Sequence, residues 1–67
     1  MPRWTRHVEE GLLLEQRGGL ILQRDDGGRW RLDADRKAAE KYLGDRVRVE
    51  GIRSEFDLLD VSRIAAC

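Results

Sequence analysis

Short apolar runs separated by glycine-rich turns limit the folds open to the first half of this chain. Residues 12–14 end at "EQRGG", residues 20–22 end at "RDDGG", and "RWRL" follows. Because glycine adopts positive φ without strain, Gly18-Gly19 and Asp26-Gly27-Gly28 are turn signals. Such short runs between glycine turns predict three antiparallel strands in a meander. In a chain of 67 residues these strands belong to one domain.

The spacing of the apolar residues changes in "DADRKAAEKYLG". Ala34, Ala38 and Tyr42 recur every four residues and form one apolar stripe, which predicts a helix over residues 34–43. Asp33 is expected at its N-cap, and Gly44 at a left-handed C-cap. A helix of about two and a half turns does not persist alone, so we expect it to dock on the sheet.

Two further strands are predicted after the helix. "RVRVEGIR" alternates with a period of two, which is typical of a half-buried strand with its valines inside and its arginines outside. Gly51 indicates a bulge or a bend in that strand. "FDLLDVSRI" predicts the last strand, in which the adjacent Leu58 and Leu59 indicate a bulge or a strand covered on both faces.

The order strand, strand, strand, helix, strand, strand resembles the OB-fold. The segments "RVRVEG" and "LDVSRI" are similar to the closing hairpin of bacterial OB-fold proteins and of short bacterial proteins of unknown function built on that barrel. The resemblance covers roughly residues 11–65 and implies a mainly β, five-stranded OB-like barrel with one helix between strands 3 and 4. The alternative is an SH3-like barrel, against which the predicted helix argues. We assign residues 1–9 to a flexible arm and residues 10–67 to the barrel, and we expect Trp4 of the arm to pack back onto it.

The residues that most enzymes and metal sites require are scarce in this sequence. His7 is the only histidine and Cys67 the only cysteine. They stand at opposite ends of the chain, so neither a Cys/His pair nor a zinc site is expected, and no Ser/His/Asp set is apparent. We therefore expect no catalysis, no metal and no cofactor. A single cysteine, a charged N-terminus and no apolar run near about 18 residues predict a cytoplasmic protein without a membrane partner.

A binding module is the function class that remains. OB-folds that bind oligonucleotides use the outer face of strands 2 and 3 with the loops between strands 1–2 and 4–5. The resemblance therefore implies a site for single-stranded DNA or RNA at Arg24, Arg29, Arg31 and Phe56. Trp30 alternates with the arginines along strand 3, so we expect its ring in the core rather than under a base.

The charge balance predicts that such binding is weak. Thirteen basic side chains cancel thirteen acidic ones, and scattered arginines displace few counterions from a nucleic acid. Arg46 and Arg48 are interpreted as a solvated face whose partners are Glu50 and Asp60 across the closing hairpin. The alternative function is protein–protein interaction or self-association. It would use an exposed strand edge or an apolar patch that includes Ile21 and the Leu58-Leu59 pair.

Overall fold

The computed structural model of the chain describes residues 6–17 and 19–67. Its elements follow one another as β1 (Arg6–Gln16), β2 (Gly19–Arg24), β3 (Arg29–Asp33), α1 (Arg36–Glu40), β4 (Arg46–Glu55) and β5 (Leu58–Ala66). The sheet closes on itself in the order β1-β2-β3-β5-β4. Every neighbouring pair is antiparallel except β3 and β5, which run parallel. The predicted mainly β fold of five strands with a helix after the third is confirmed, and it is compatible with an OB-like architecture.

The first strand is longer than the sequence indicated. It begins at Arg6, so residues 6–9, which the sequence assigned to an arm, pair with β4. The predictions for Trp4 and for the Gly18 half of the first turn lie outside the described residues. A charged stretch of alternating exposed and half-buried residues becomes a strand here because β4 offers it a partner.

Strand β1 changes its partner at Gly11. This residue lies opposite Arg24 of β2 and also opposite Val47 of β4. A Cβ atom at Gly11 would lie 2.2 Å from the carbonyl oxygen of Gln23. The strand can therefore bend from one neighbour to the other only because position 11 has no side chain.

The interior of the closed sheet is filled by alternate residues of all five strands and by one residue of the helix. The fully or nearly buried side chains are Leu13, Leu20, Leu22, Trp30, Leu32, Ala39, Val47, Val49 and Leu59. In β3, Trp30 and Leu32 point inward while Arg29 and Arg31 are exposed. The prediction that Trp30 belongs to the core is confirmed.

The helix is shorter than predicted and begins later. It spans five residues, Arg36–Glu40, and its N-cap is Asp35, whose side chain accepts a hydrogen bond from the Lys37 amide at 3.1 Å. The prediction of Asp33 as N-cap is wrong because Asp33 is held in the β3–β5 ladder opposite Asp60. Turns follow the helix up to Gly44, whose φ of +84° agrees with the predicted left-handed residue.

Both irregularities predicted in the closing hairpin are present. The β4–β5 register shifts between Glu50 and Gly51, and a Cβ at Gly51 would lie 2.4 Å from the carbonyl oxygen of Asp60. A second shift near the turn, between Arg53 and Glu55, adds a residue to β4, and along β5 Leu59 is fully buried while Leu58 is half-buried. The adjacent leucines therefore agree with the second expectation, a strand at least partly covered on both faces.

Candidate nucleic-acid interface

The outer face of β2 and β3 lies beside the turn that joins β4 to β5. In the β2–β3 ladder Ile21 lies opposite Arg31, and Gln23 lies opposite Arg29. The backbone amide of Arg31 donates to the carbonyl oxygen of Asp57 in the turn at 2.8 Å. This contact exists because β5 pairs with β3, which brings the turn against β3. The structure thus places Arg31 against the turn that carries Phe56, and Arg29 lies two residues before Arg31 on the same exposed face of β3.

Phe56 is the most exposed large hydrophobic residue among those described. Its accessibility is 85%, compared with 54% for Val8 and 41% for Leu12. The guanidinium carbon of Arg53 lies 5.4 Å from the centroid of the Phe56 ring, in cation–π range. An aromatic ring so exposed contributes little to the core and offers a face on which a base can stack. Arg53 is not among the site residues predicted from the sequence. Its position near the end of a predicted strand, three residues before Phe56, could have indicated it.

Arg31 is already engaged by carboxylates of the chain. Its Nε and Nη2 donate to Oδ1 of Asp57 at 3.0 and 2.8 Å, and Nη2 lies 3.4 Å from Oε1 of Glu55. The hydrogen bond from Arg31 lowers the pKa of Asp57, and the same bond raises the pKa of Arg31. A phosphate would have to compete with these carboxylates, so Arg31 is a weaker anchor than its position in the sequence implied.

Arg24 does not lie on the outer face. It alternates in phase with the buried Leu20 and Leu22, so it stands at the end of the interior side of β2 and is half-buried. Its guanidinium pairs with Asp26, and its Nε lies 3.7 Å from Glu9. The structure therefore separates Arg24 from the other predicted site residues because the side chains of a strand point alternately to opposite faces.

Arg29 is the exposed guanidinium on β3 that remains available. Among the residues described, it forms no ion pair, and its cross-strand neighbour is the uncharged Gln23. Arg29, Arg53 and Phe56 together define what we call the turn-side site.

The arginines of β4 have other partners than those predicted. Nη1 of Arg46 donates to Oδ1 of Asp25 at 2.7 Å, and Nε of Arg48 donates to Oε2 of Glu10 at 2.9 Å. The expected pairing with Glu50 and Asp60 is wrong because closure of the sheet places Glu10 of β1 beside Arg48, and Asp25 of the β2–β3 turn lies within reach of Arg46. Glu50 pairs instead with Arg6 at 2.6 Å. The interpretation of Arg46 and Arg48 as a solvated face is confirmed, because both are exposed.

The apolar patch that the sequence offered for protein contacts is only partly on the surface. Leu59 is fully buried, while Ile21 and Leu58 are half-buried. Trp30 is also unavailable for stacking, since it is buried with its ring centroid 5.1 Å from that of His7. These side chains pack within the sheet. The exposed aromatic ring beside β3 is therefore Phe56 of the turn-side site.

The described residues hold neither a cluster of metal ligands nor a membrane-spanning helix. Within residues 6–17 and 19–67, no group of three or more histidine, cysteine, aspartate or glutamate side chains is placed to hold a metal ion. In the same part of the chain, no helix has the length and apolar character needed to cross a bilayer.

Comparison with known proteins assigns most of the chain to a family. The model of a family described as "Protein of unknown function (DUF5818)" matches residues 10–67. The chain matches no curated protein and no solved structure.

Proposed function

Since the chain belongs to the DUF5818 family of proteins of unknown function, we propose its function from its own geometry: it is a non-catalytic, OB-like module that binds single-stranded DNA or RNA weakly. The turn-side site provides one stacking surface, Phe56, and two cations, Arg29 and Arg53. We propose that the protein acts in the bacterial cytoplasm. Its cysteine, Cys67, is free and exposed, and a reducing compartment keeps such a thiol from being oxidised.

The observation that supports this proposal best is the exposure of Phe56 beside Arg53. A ring that is 85% exposed, with a guanidinium 5.4 Å from its centroid, has the composition of a base-stacking platform. Arg29 adds a charge on the adjoining strand that no carboxylate of the described residues neutralises. These are the strand face and the loop through which OB-folds hold oligonucleotides.

The geometry also explains why the affinity should be low. Stacking one base contributes about 1–3 kcal/mol, and two cations make few phosphate contacts. We expect dissociation constants on the order of 10⁻⁴ M at low salt, with little sequence preference. Arg31 adds little, because Asp57 and Glu55 already bind its guanidinium.

The test is an amide NMR titration of the full chain, at low salt, with a mixed pool of short single-stranded DNA and RNA. We expect shifts in residues 29–33 and 53–58 that disappear as salt is raised. Phe56→Ala should weaken binding by about five- to a hundredfold, as the loss of one stacked base predicts. Val8→Ala is the matched control, because Val8 is an exposed hydrophobic residue on β1.

The electrostatic part of the site has its own control. Arg29→Gln should reduce the slope of log affinity against log salt by about 0.7, the value for one phosphate contact on a single strand. Arg63→Gln changes the net charge equally on another strand, β5, and should leave the slope unaltered. The proposal is rejected if no amide shifts at millimolar nucleic acid, or if the Phe56 and Val8 variants behave alike.

A further inference from the structure

One edge of β5 is open. The parallel pairing of β3 with β5 ends at Asp33 and Asp60, and the chain then leaves the sheet to form α1. Beyond Asp60, β5 continues to Ala66 with β4 as its single strand partner in the described part of the chain. An open edge carries backbone donors and acceptors that another chain can pair with.

The register shows which backbone groups face this open edge. The amide of Cys67 donates to the carbonyl oxygen of Arg46 at 3.1 Å, so position 67 faces β4. Because strand residues alternate, Arg63 and Ala65 face β4 as well, and the amide groups of Ile64 and Ala66 face away from it. Among residues 6–17 and 19–67, neither of these outward groups makes a backbone hydrogen bond to α1 or to its flanking turns.

A groove of about 180 Å³ separates this edge from the helix. Its lining is about equally polar and apolar, and the apolar side chains that line it from the two elements are Ala34, Ala38, Tyr42, Val61 and Ile64. A strand edge on one wall and a helix on the other form the arrangement in which an extended peptide adds to a sheet, with its backbone on the strand and its side chains in the groove.

Charge identifies the kind of peptide. Lys41 and Arg63 line the groove, and neither forms an ion pair among the described residues. Glu50, which lies opposite Arg63 in the ladder, is paired with Arg6 instead. The one carboxylate in the lining, Asp35, accepts the hydrogen bond of the Lys37 amide as the N-cap of α1 and keeps its negative charge. The groove lining therefore carries two cations that form no ion pair and one carboxylate, a net positive charge.

We propose that the groove between α1 and β5 binds an extended, acidic peptide segment of a partner protein, by β-strand addition to the edge of residues 62–66. The backbone of the peptide pairs with Ile64 and Ala66, its apolar side chains enter the groove, and its carboxylates approach Lys41 and Arg63. This surface shares no residue with the turn-side site. A failure of nucleic-acid binding would therefore not count against peptide binding, and the reverse also holds.

The probe is an acetylated heptapeptide amide in which valine alternates with glutamate. Added to the ¹⁵N-labelled full chain, it should shift the amides of residues 62–66. At a peptide concentration ten times its dissociation constant, hydrogen exchange at Ile64 and Ala66 should slow about tenfold. The same peptide with N-methyl groups on alternate amides cannot pair with the strand and should not bind.

Charge variants test the choice of an acidic partner. Lys41→Glu and Arg63→Glu should each weaken binding of the glutamate peptide about fivefold. Both variants should bind a peptide with lysine in place of glutamate more tightly than the parent chain does. Lys37→Glu, an exposed change on α1 outside the groove lining, is the control and should have no effect.

Three results would overturn the inference. The first is an absence of amide shifts at a peptide concentration on the order of 2 mM, which equals the dissociation constant of very weak binding. The second is equal binding of the glutamate and lysine peptides. The third is a concentration-dependent shift of residues 62–66 in the free protein, which would assign the edge to a second copy of this chain.

Discussion

Replacing Gly11 with alanine tests how β1 bends between its two partners. A Cβ at this position would lie 2.2 Å from the carbonyl oxygen of Gln23, 2.8 Å from the carbonyl carbon and 3.1 Å from the Cα of Arg24. All three atoms belong to the backbone of β2, so no side-chain rotation can relieve the contact. The two strands must separate where β1 changes from one neighbour to the other.

The size of the effect follows from these distances. Non-bonded carbon atoms pack best at about 3.5–4 Å, so the strands must move apart by roughly 1 Å or more. Overpacking of this kind typically costs about 1–3 kcal/mol. A 67-residue domain has a free energy of unfolding of about 3–10 kcal/mol, so Gly11→Ala should remove a substantial part of it.

Urea denaturation followed by far-ultraviolet circular dichroism measures this loss. Gly28→Ala is the matched control, because a Cβ there meets side-chain atoms at 3.2 Å and beyond rather than backbone. We expect the control to stay within about 0.5 kcal/mol of the parent chain. If Gly11→Ala unfolds at the same urea concentration as Gly28→Ala, the close approach of β1 and β2 at this point is refuted.

Three other predictions concern the core, the ion pairs and the turn-side site. Leu13→Ala, at a fully buried position, should cost about 2–5 kcal/mol in urea denaturation, whereas Leu12→Ala, on the opposite face, should cost far less. The pKa of Asp57 is lowered by its hydrogen bond from Arg31, so the stability it contributes is complete above its unfolded pKa of about 3.9 and is lost below it. Urea midpoints measured from pH 6 to 3 should therefore fall below about pH 4, and Asp57→Asn should flatten that fall; a midpoint that depends on pH mainly above pH 5 would contradict the assignment. Asp57→Asn also removes the nearer of the two carboxylates that engage Arg31, which should steepen the salt dependence of oligonucleotide binding by up to about 0.7 in log–log slope, while Asp25→Asn, which removes a carboxylate from Arg46, should not change it.

The inward and outward faces of β3 were predictable from local pattern alone. Side chains of a strand alternate because the backbone is pleated, so two exposed arginines at positions 29 and 31 require Trp30 and Leu32 to face inward. The turns could be placed for a similar reason, since Gly27 and Gly44 adopt positive φ, which strains other residues. Such properties depend on a few neighbouring residues and survive in any fold that contains these segments.

The candidate site was only half predictable. Phe56 could be recognised because it stands at the turn of a hairpin, and Arg29 because it lies on the outer phase of its strand. The engagement of Arg31 by Asp57, 26 residues away, depends on the parallel pairing of β3 with β5, which no local pattern reports. The sequence prediction misplaces Arg24, which shares the interior phase of Leu20 and Leu22 along β2.

Sheet closure decided the remaining features. It placed β1 beside β4, which paired Arg48 with Glu10 and left Glu50 to Arg6. It also held Asp33 in a ladder, which shortened α1 and left the edge of β5 beyond Asp60 open. Alternation and turn chemistry act over a few residues and are written in the sequence. The choice of partners that lie 21 to 44 residues apart is settled only when the strands compete for the same backbone hydrogen bonds.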